Sequence, residues 1–144
     1  MGKTETLDRS QLEQAIVKAL DNNKFCSLGT VEGGKPKVRY MALFNDGMNI
    51  HLATDRKTHK VDELKDNPNA YLLLGYEVGG TKEVLEVEAT VQITADEGLR
   101  KQVWNDSLKK WFSGPDDPDY VILDVNPTRI EYVGQQTERQ VWTK

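Results

Sequence analysis

The sequence predicts a mainly β domain in which roughly seven strands curl into a closed or nearly closed barrel, with helices inserted between some of them. Three observations predict it. Short apolar segments alternate with turns rich in Gly, Asn and Asp along most of the chain. One segment alternates strictly: Leu85, Val87, Ala89, Val91 and Ile93 form one face, and Glu86, Glu88, Thr90 and Gln92 the other. The regular strand–helix–strand rhythm of a doubly wound parallel sheet is absent.

Taken in order, Thr6 to Leu20 reads as an amphipathic helix, because Leu12, Ile16 and Leu20 recur at helical spacing with Val17 and Ala19 beside them. Asp8 or Ser10 can cap it, and Ser10 with Glu13 fits a capping box. Asp21-Asn22-Asn23 ends it. Phe25 to Val31 reads as a strand, Glu32-Gly33-Gly34-Lys35 as a hairpin turn, and Lys37 to Phe44 as the return strand. Val38, Tyr40, Ala42 and Phe44 share one face of that strand; Arg39, Met41 and Leu43 share the other. Asn45-Asp46-Gly47 turns the chain into a third strand, Met48 to Thr54. A short helix follows between Asp55 and Asp66, with Val61 and Leu64 as its buried pair, and Asn67-Pro68 stops it. Ala70 to Tyr76 is nearly continuously apolar and suits a central strand. Gly79-Gly80-Thr81 turns into the alternating strand Val84 to Ile93. A second helix is predicted from about Asp96 to Lys110, followed by a loop over Ser113 to Pro118. Two strands, Tyr120 to Val125 and Arg129 to Val133, complete the barrel. The organisation is one domain over residues 1–144: a helix at about 6–20, a barrel at about 25–133, and a polar tail at 134–144 in which Val141 and Trp142 are the apolar exceptions.

Composition narrows the function classes. A hydrophobic fraction of 38% together with 11 glycines is ordinary for a globular chain with one core. A net charge of −4 argues against a general nucleic-acid binder and leaves room for a local basic pocket. The single cysteine, Cys26, excludes an internal disulfide. Between Phe25 and Ser27-Leu28 it reads as a small buried side chain, and a reducing cytoplasmic compartment is expected. The N-terminus shows no apolar leader, and no stretch approaches the length of a membrane span.

Ala53-Thr54-Asp55-Arg56-Lys57-Thr58-His59-Lys60 carries the most chemistry, where a strand hands over to a helix. A helix start presents unpaired N–H groups and partial positive charge, so acidic residues normally sit there. Here Arg56, Lys57 and Lys60 stand at that end beside the hydroxyls of Thr54 and Thr58, an arrangement that a bound phosphate would relieve. A solvated basic turn whose threonines only cap the helix is the competing reading. Arg39, inside a barrel strand, either lies on a solvated face or reaches into a pocket, and the strand alone favours the solvated face. Trp104, Leu108, Trp111 and Phe112 form an aromatic-rich stripe that packs a core or walls a planar ligand; core packing is favoured. His51 and His59 are not spaced as a metal pair, so no metal site is expected. No Ser-His-acid or Cys-His arrangement stands out, and no side chain is an evident general acid or base.

From Phe25 to Tyr76 the chain resembles the FMN-binding split barrel of the pyridoxamine 5′-phosphate oxidase-like proteins. The resemblance rests on the glycine hairpin, Val38-Arg39-Tyr40-Met41, the strand ending in Thr54, Thr58-His59-Lys60, and the helix closed by Asn67-Pro68. Trp104, Lys110-Trp111-Phe112, Gly114-Pro115-Asp116-Asp117-Pro118, Asp124-Val125-Asn126-Pro127 and Glu131-Tyr132 are similar to the general stress protein branch of that family. The resemblance implies a split barrel holding FMN, with FAD possible, between two copies of the chain. It implies that Arg39 contacts the FMN and that Tyr40, Met41 and Ala42 lend backbone contacts to the flavin edge. Thr54 matches the family's strand-end threonine, Thr58, His59 and Lys60 match a Ser-Arg-Lys triplet that holds the phosphate, and Trp104, Trp111 and Phe112 would wall the partner's flavin. His59 stands where the family has an arginine, so Lys60 carries most of the expected charge. The Arg-x-His element of authentic pyridoxamine 5′-phosphate oxidases has no counterpart in Thr137-Glu138-Arg139-Gln140-Val141-Trp142, so vitamin B6 oxidation is not expected. The resemblance therefore implies a flavin-dependent oxidoreductase acting on an unidentified small molecule, or a non-catalytic flavin carrier or stress sensor. A barrel holding a deazaflavin or haem is a third reading, with haem disfavoured for want of an axial ligand.

Overall fold

In the computed structural model, residues 6–77, 80–134 and 138–144 are described. One curled, antiparallel, eight-stranded sheet forms the body. The elements in chain order are α1 (Arg9–Asp21), β1 (Phe25–Glu32), β2 (Lys35–Ala42), β3 (Phe44–Asp46), β4 (Asn49–Asp55), α2 (His59–Asp66), β5 (Asn69–Glu77), β6 (Gly80–Thr94), α3 (Glu97–Val103), a 3₁₀ turn (Asp106–Lys110), β7 (Tyr120–Val133) and β8 (Gln140–Thr143). The strand order is β2-β1-β5-β6-β7-β4-β3, with β8 added against β7. β2 ends the path on one side, and β4 curls round to approach it, which leaves a seam between them.

The inner face follows from alternation. Cys26 and Leu28 of β1, Ile50 and Leu52 of β4, Leu72 and Leu74 of β5, Leu85, Val87, Ala89 and Val91 of β6, and Leu123 and Val125 of β7 point into one core. α1 closes that core with Leu12, Ile16, Ala19 and Leu20. A smaller core lies on the opposite face, where Tyr120 and Ile122 of β7 meet Val103, Leu108 and Phe112. The hairpin β1–β2 turns at Gly33 and Gly34, both at positive φ (57° and 77°), the conformation a two-residue hairpin turn needs. At Gly75 (φ 102°) the β5–β6 ladder slips, and a Cβ there would fall 1.9 Å from the carbonyl oxygen of Glu83, so only glycine fits.

Four local expectations are corrected. The capping box is Asp8 with Gln11, each side chain bonding the other's backbone N–H (2.8 and 3.0 Å), rather than Ser10 with Glu13. The helix expected over Asp96 to Lys110 breaks at Trp104, because the Asn105 side chain accepts the Ser107 N–H (2.9 Å) and starts a separate 3₁₀ turn. The two expected last strands are one, since Asn126-Pro127 passes through an irregularity in the β6–β7 ladder at which Thr128 is left unpaired. The polar tail contains β8, whose Trp142 is buried and lies under the Arg9 guanidinium at 5.4 Å. The expected turn at Gly79-Gly80-Thr81 falls partly outside the described residues.

Candidate functional site

Along β2, Val38 and Tyr40 are 72% and 73% exposed, so Arg39 lies on the inner side, paired in register with the buried Leu28. This corrects the expectation of a solvated arginine. Its side chain is 24% exposed and reaches back under the hairpin. Nη1 donates to Thr30 Oγ1 (3.1 Å) and Nη2 to Glu63 Oε2 (3.0 Å); Thr30 in turn donates to the same carboxylate oxygen at 2.6 Å. Burial alone would push the Glu63 carboxyl up. Hydrogen bonds from Thr30 and Arg39, with the Arg39 charge, outweigh it and bring the carboxyl down to about 2. Lys37 Nζ lies 3.5 Å from the other carboxylate oxygen.

Across the seam, Thr54 ends the inner face of β4 and is buried. Its hydroxyl is 3.5 Å from that of Thr58, which donates to the Asp55 carbonyl (2.9 Å). No side chain caps α2; Val61 N–H donates to the Thr58 carbonyl (3.2 Å), while the N–H groups of His59 and Lys60 have no acceptor among the described residues. Lys60, in the first turn of α2, is half-buried; burial first, then the neighbouring Arg39, lower its ammonium below the usual lysine range. A cation held below its ordinary pKa by desolvation and a like charge gains when an anion arrives.

The remaining predicted residues separate into groups. Arg56 Nε donates to Asp119 Oδ1 (2.9 Å), and Lys57 Nζ lies 3.0 Å from Asp119 Oδ2, so both are drawn outward. The basic run is therefore two clusters rather than one cradle. His59 is exposed. Tyr40 stacks on Phe25 on the outer face (5.4 Å, 16°), Met41 packs against the main core, and Ala42 is exposed at the end of β2. Trp104 and Phe112 pack on Tyr120 at 5.6 and 5.0 Å, whereas Trp111 stands out 69% exposed. The aromatic stripe is thus core at two positions and surface at the third. Cys26 is buried, and burial pushes its thiol up to about 12, which makes it an inert small hydrophobe. His51 is buried, its Nδ1 3.4 Å from Asp124.

Glu63 and Thr30 are the site residues that sequence reasoning missed. Thr30 carried a signal: it has the same parity as the inward-facing Cys26 and Leu28. Glu63 carried a weaker one, lying between the buried Val61 and Leu64 on a one-sided helix.

The seam therefore gathers an arginine, a half-buried lysine, buried threonines and an uncapped helix start at the split of a curled antiparallel sheet. The chain belongs to the pyridoxamine 5′-phosphate oxidase family, whose description matches residues 12–134. It is 37% identical over 134 residues to general stress protein 26 of Bacillus subtilis, covering 91% of this chain and 96% of that protein. The crystal structure of general stress protein 26 from Bacillus anthracis is similar throughout (TM-score 0.83, 31% identity, 92% of this chain and 98% of that one). At 16% identity the fold is shared with a pyridoxamine 5′-phosphate oxidase-related, FMN-binding protein of Nostoc punctiforme (TM-score 0.68, 96% and 98% covered). Among the described residues no helix is long and apolar enough to cross a membrane, and no cluster of His, Cys, Asp and Glu fits a metal ion.

Proposed function

We propose that the seam binds the phosphate of FMN, and that the protein is a flavin-dependent oxidoreductase of the general stress protein type, acting on a small molecule in the cytoplasm as a homodimer. The observation that carries this reading is Lys60: a half-buried ammonium beside Arg39 at the uncapped start of α2, where burial and the Arg39 charge outweigh the pull of Asp55 and Glu63 and hold its pKa down. Its residues fit a phosphate. Arg39 has five N–H donors and spends two on Thr30 and Glu63, so the rest remain for a ligand. Thr54 and the N–H groups of His59 and Lys60 at the start of α2 complete the donor set. β2 is a terminal strand, so one row of its backbone groups at Tyr40, Met41 and Ala42 has no strand partner and can meet a planar ring edge. Bound FMN supplies the redox chemistry; the chain's residues bind and orient it. The FMN-binding Nostoc relative supports the same reading at the level of fold.

Exposed apolar side chains support the dimer. Phe25, Val38, Tyr40 and Tyr71 stand on the outer face of β2, β1 and β5, where a groove of about 650 Å³ is lined by Gly29, Lys37, Val38, Tyr71, Glu86 and Glu88 among others. Trp111 is exposed as well, and clustered exposed apolar side chains mark interaction surfaces. A second copy covers them in this reading, with Trp111 against the partner's flavin.

The test is direct. The purified protein is expected to carry a flavin spectrum, to release a chromophore with the mass of FMN, and to sediment as a dimer. A colourless protein that takes up no flavin contradicts the reading. Flavin reduction by a nicotinamide nucleotide separates an enzyme from a carrier or sensor.

A further inference from the structure

Glu63 is a buried carboxylate with no place in the donor set that FMN requires. Its side chain is 2% exposed, it sits on the inner side of α2 in the same seam as Arg39 and Lys60, and Oε1 accepts no hydrogen bond among the described residues. A buried charge is retained only when paired, and here the closer partner is Arg39 at 3.0 Å, with the Lys37 ammonium 3.5 Å from the other carboxylate oxygen. Hence one of the two inner cations that would face the phosphate is already half neutralised from behind.

We propose that Glu63 is a specificity-determining residue that sets how much negative charge the seam accepts, so that one phosphomonoester is favoured and diphosphates are not. The inference rests on the phosphate reading above and deepens it. Two effects follow from the geometry. Glu63 holds the guanidinium plane by two linked contacts, 3.0 Å to Arg39 and 2.6 Å to Thr30, so Arg39 is oriented before a ligand arrives. The same carboxylate repels any incoming anion, and this repulsion scales with the ligand's charge. An anion with a second phosphate meets it twice, and the other nearby cations are already engaged: Lys37 by Glu32 and by Glu63 itself, and Lys57 and Arg56 by Asp119 on the far side of the turn. Selectivity then comes from a built-in repulsive element as well as from attraction.

The experiment measures dissociation constants for FMN, riboflavin, inorganic phosphate and pyrophosphate on the wild type and four variants. E63Q should tighten inorganic phosphate and FMN by about tenfold, and pyrophosphate by more, while riboflavin changes little. T30V keeps the carboxylate charge and should tighten no anion. R39Q leaves Glu63 unpaired beside the site and should lose phosphate affinity sharply; R39Q/E63Q should recover part of that loss, because both charges are then gone. The double variant keeps the test open should E63Q alone fail to fold. An E63Q protein with unchanged or weaker phosphate and pyrophosphate binding, or an R39Q/E63Q protein no better than R39Q, overturns the inference. If the wild type binds FMN and these shifts fail, only the role of Glu63 falls; if the wild type binds no FMN, the phosphate reading falls and takes this one with it.

Discussion

Lys57 ends 3.0 Å from the carboxylate of Asp119, on the side of the 55–58 turn away from the seam. Arg56 reaches the same carboxylate, and hydrogen bonds from both hold the Asp119 carboxyl below its usual range. One acidic residue more than sixty positions away therefore sorts a basic run into structural cations and ligand cations.

That sorting gives the first prediction. Lys60→Glu should weaken FMN binding by one to two decades, the loss of a charged hydrogen bond of about 1.5–3 kcal/mol, with riboflavin affected far less. Lys57→Gln should leave both ligands within about twofold, as an exposed pair contributes little. Fluorescence titration of the two variants checks this; equal losses at Lys57 and Lys60 would remove the sorting.

Acid sensitivity gives the second. The Glu63 carboxyl lies at about 2, below its ordinary 4.5, because Thr30 and Arg39 bond its charged form. A depressed carboxyl contributes stability that is fully present above its unfolded value and lost as pH falls through its folded value. The wild type should therefore lose stability between about pH 4.5 and pH 2, and E63Q should be less stable at pH 7 but show a flatter profile across that window. Urea unfolding at a series of pH values measures both slopes, and parallel profiles would contradict the pairing.

The aromatic stripe gives the third. Phe112 is buried against Tyr120, so Phe112→Ala should cost about 3–5 kcal/mol of stability. Trp111 is exposed, so Trp111→Ala should leave the fold within about 0.5 kcal/mol while weakening dimerisation and flavin binding together. If flavin bridges two copies, a hundredfold excess over Kd should stabilise the dimer by about 2.7 kcal/mol per site. Sedimentation with and without FMN reads this; a flavin-loaded monomer would contradict the shared site.

The tail gives the fourth. Arg139 is engaged with Glu86 (3.0 Å) and with Glu131, and no histidine stands near it in sequence. Flavin-loaded protein should form no pyridoxal phosphate from pyridoxamine or pyridoxine 5′-phosphate, and steady turnover would overturn that expectation.

Much of this was legible because alternation and turn chemistry are local. The β6 face, the glycine hairpin and the stop at Asn67-Pro68 each follow from a few adjacent residues. What failed was decided by contacts remote in sequence. Trp104 and Leu108 keep helical spacing, yet the helix ends at Trp104 and Asn105 caps a separate 3₁₀ turn, and Trp104 and Phe112, on either side of that turn, both pack on Tyr120. β8 looks like a polar tail because a short edge strand needs only Trp142 buried, and its other ties are the ladder to β7 and hydrogen bonds linking Gln140 and Thr143 with Leu7 and Arg9, respectively, at the far end of the chain. The pull of Glu63 on Arg39 crosses 24 positions, and the strand pattern alone left the arginine's side open.

The central claim is that the seam at Arg39, Thr54 and Lys60 recognises a phosphate. The most direct measurement is the ratio of riboflavin to FMN dissociation constants for the apoprotein at one ionic strength. The account predicts that FMN binds at least tenfold more tightly, the difference being the charged contacts to its phosphate. Equal affinity for the two flavins would contradict it.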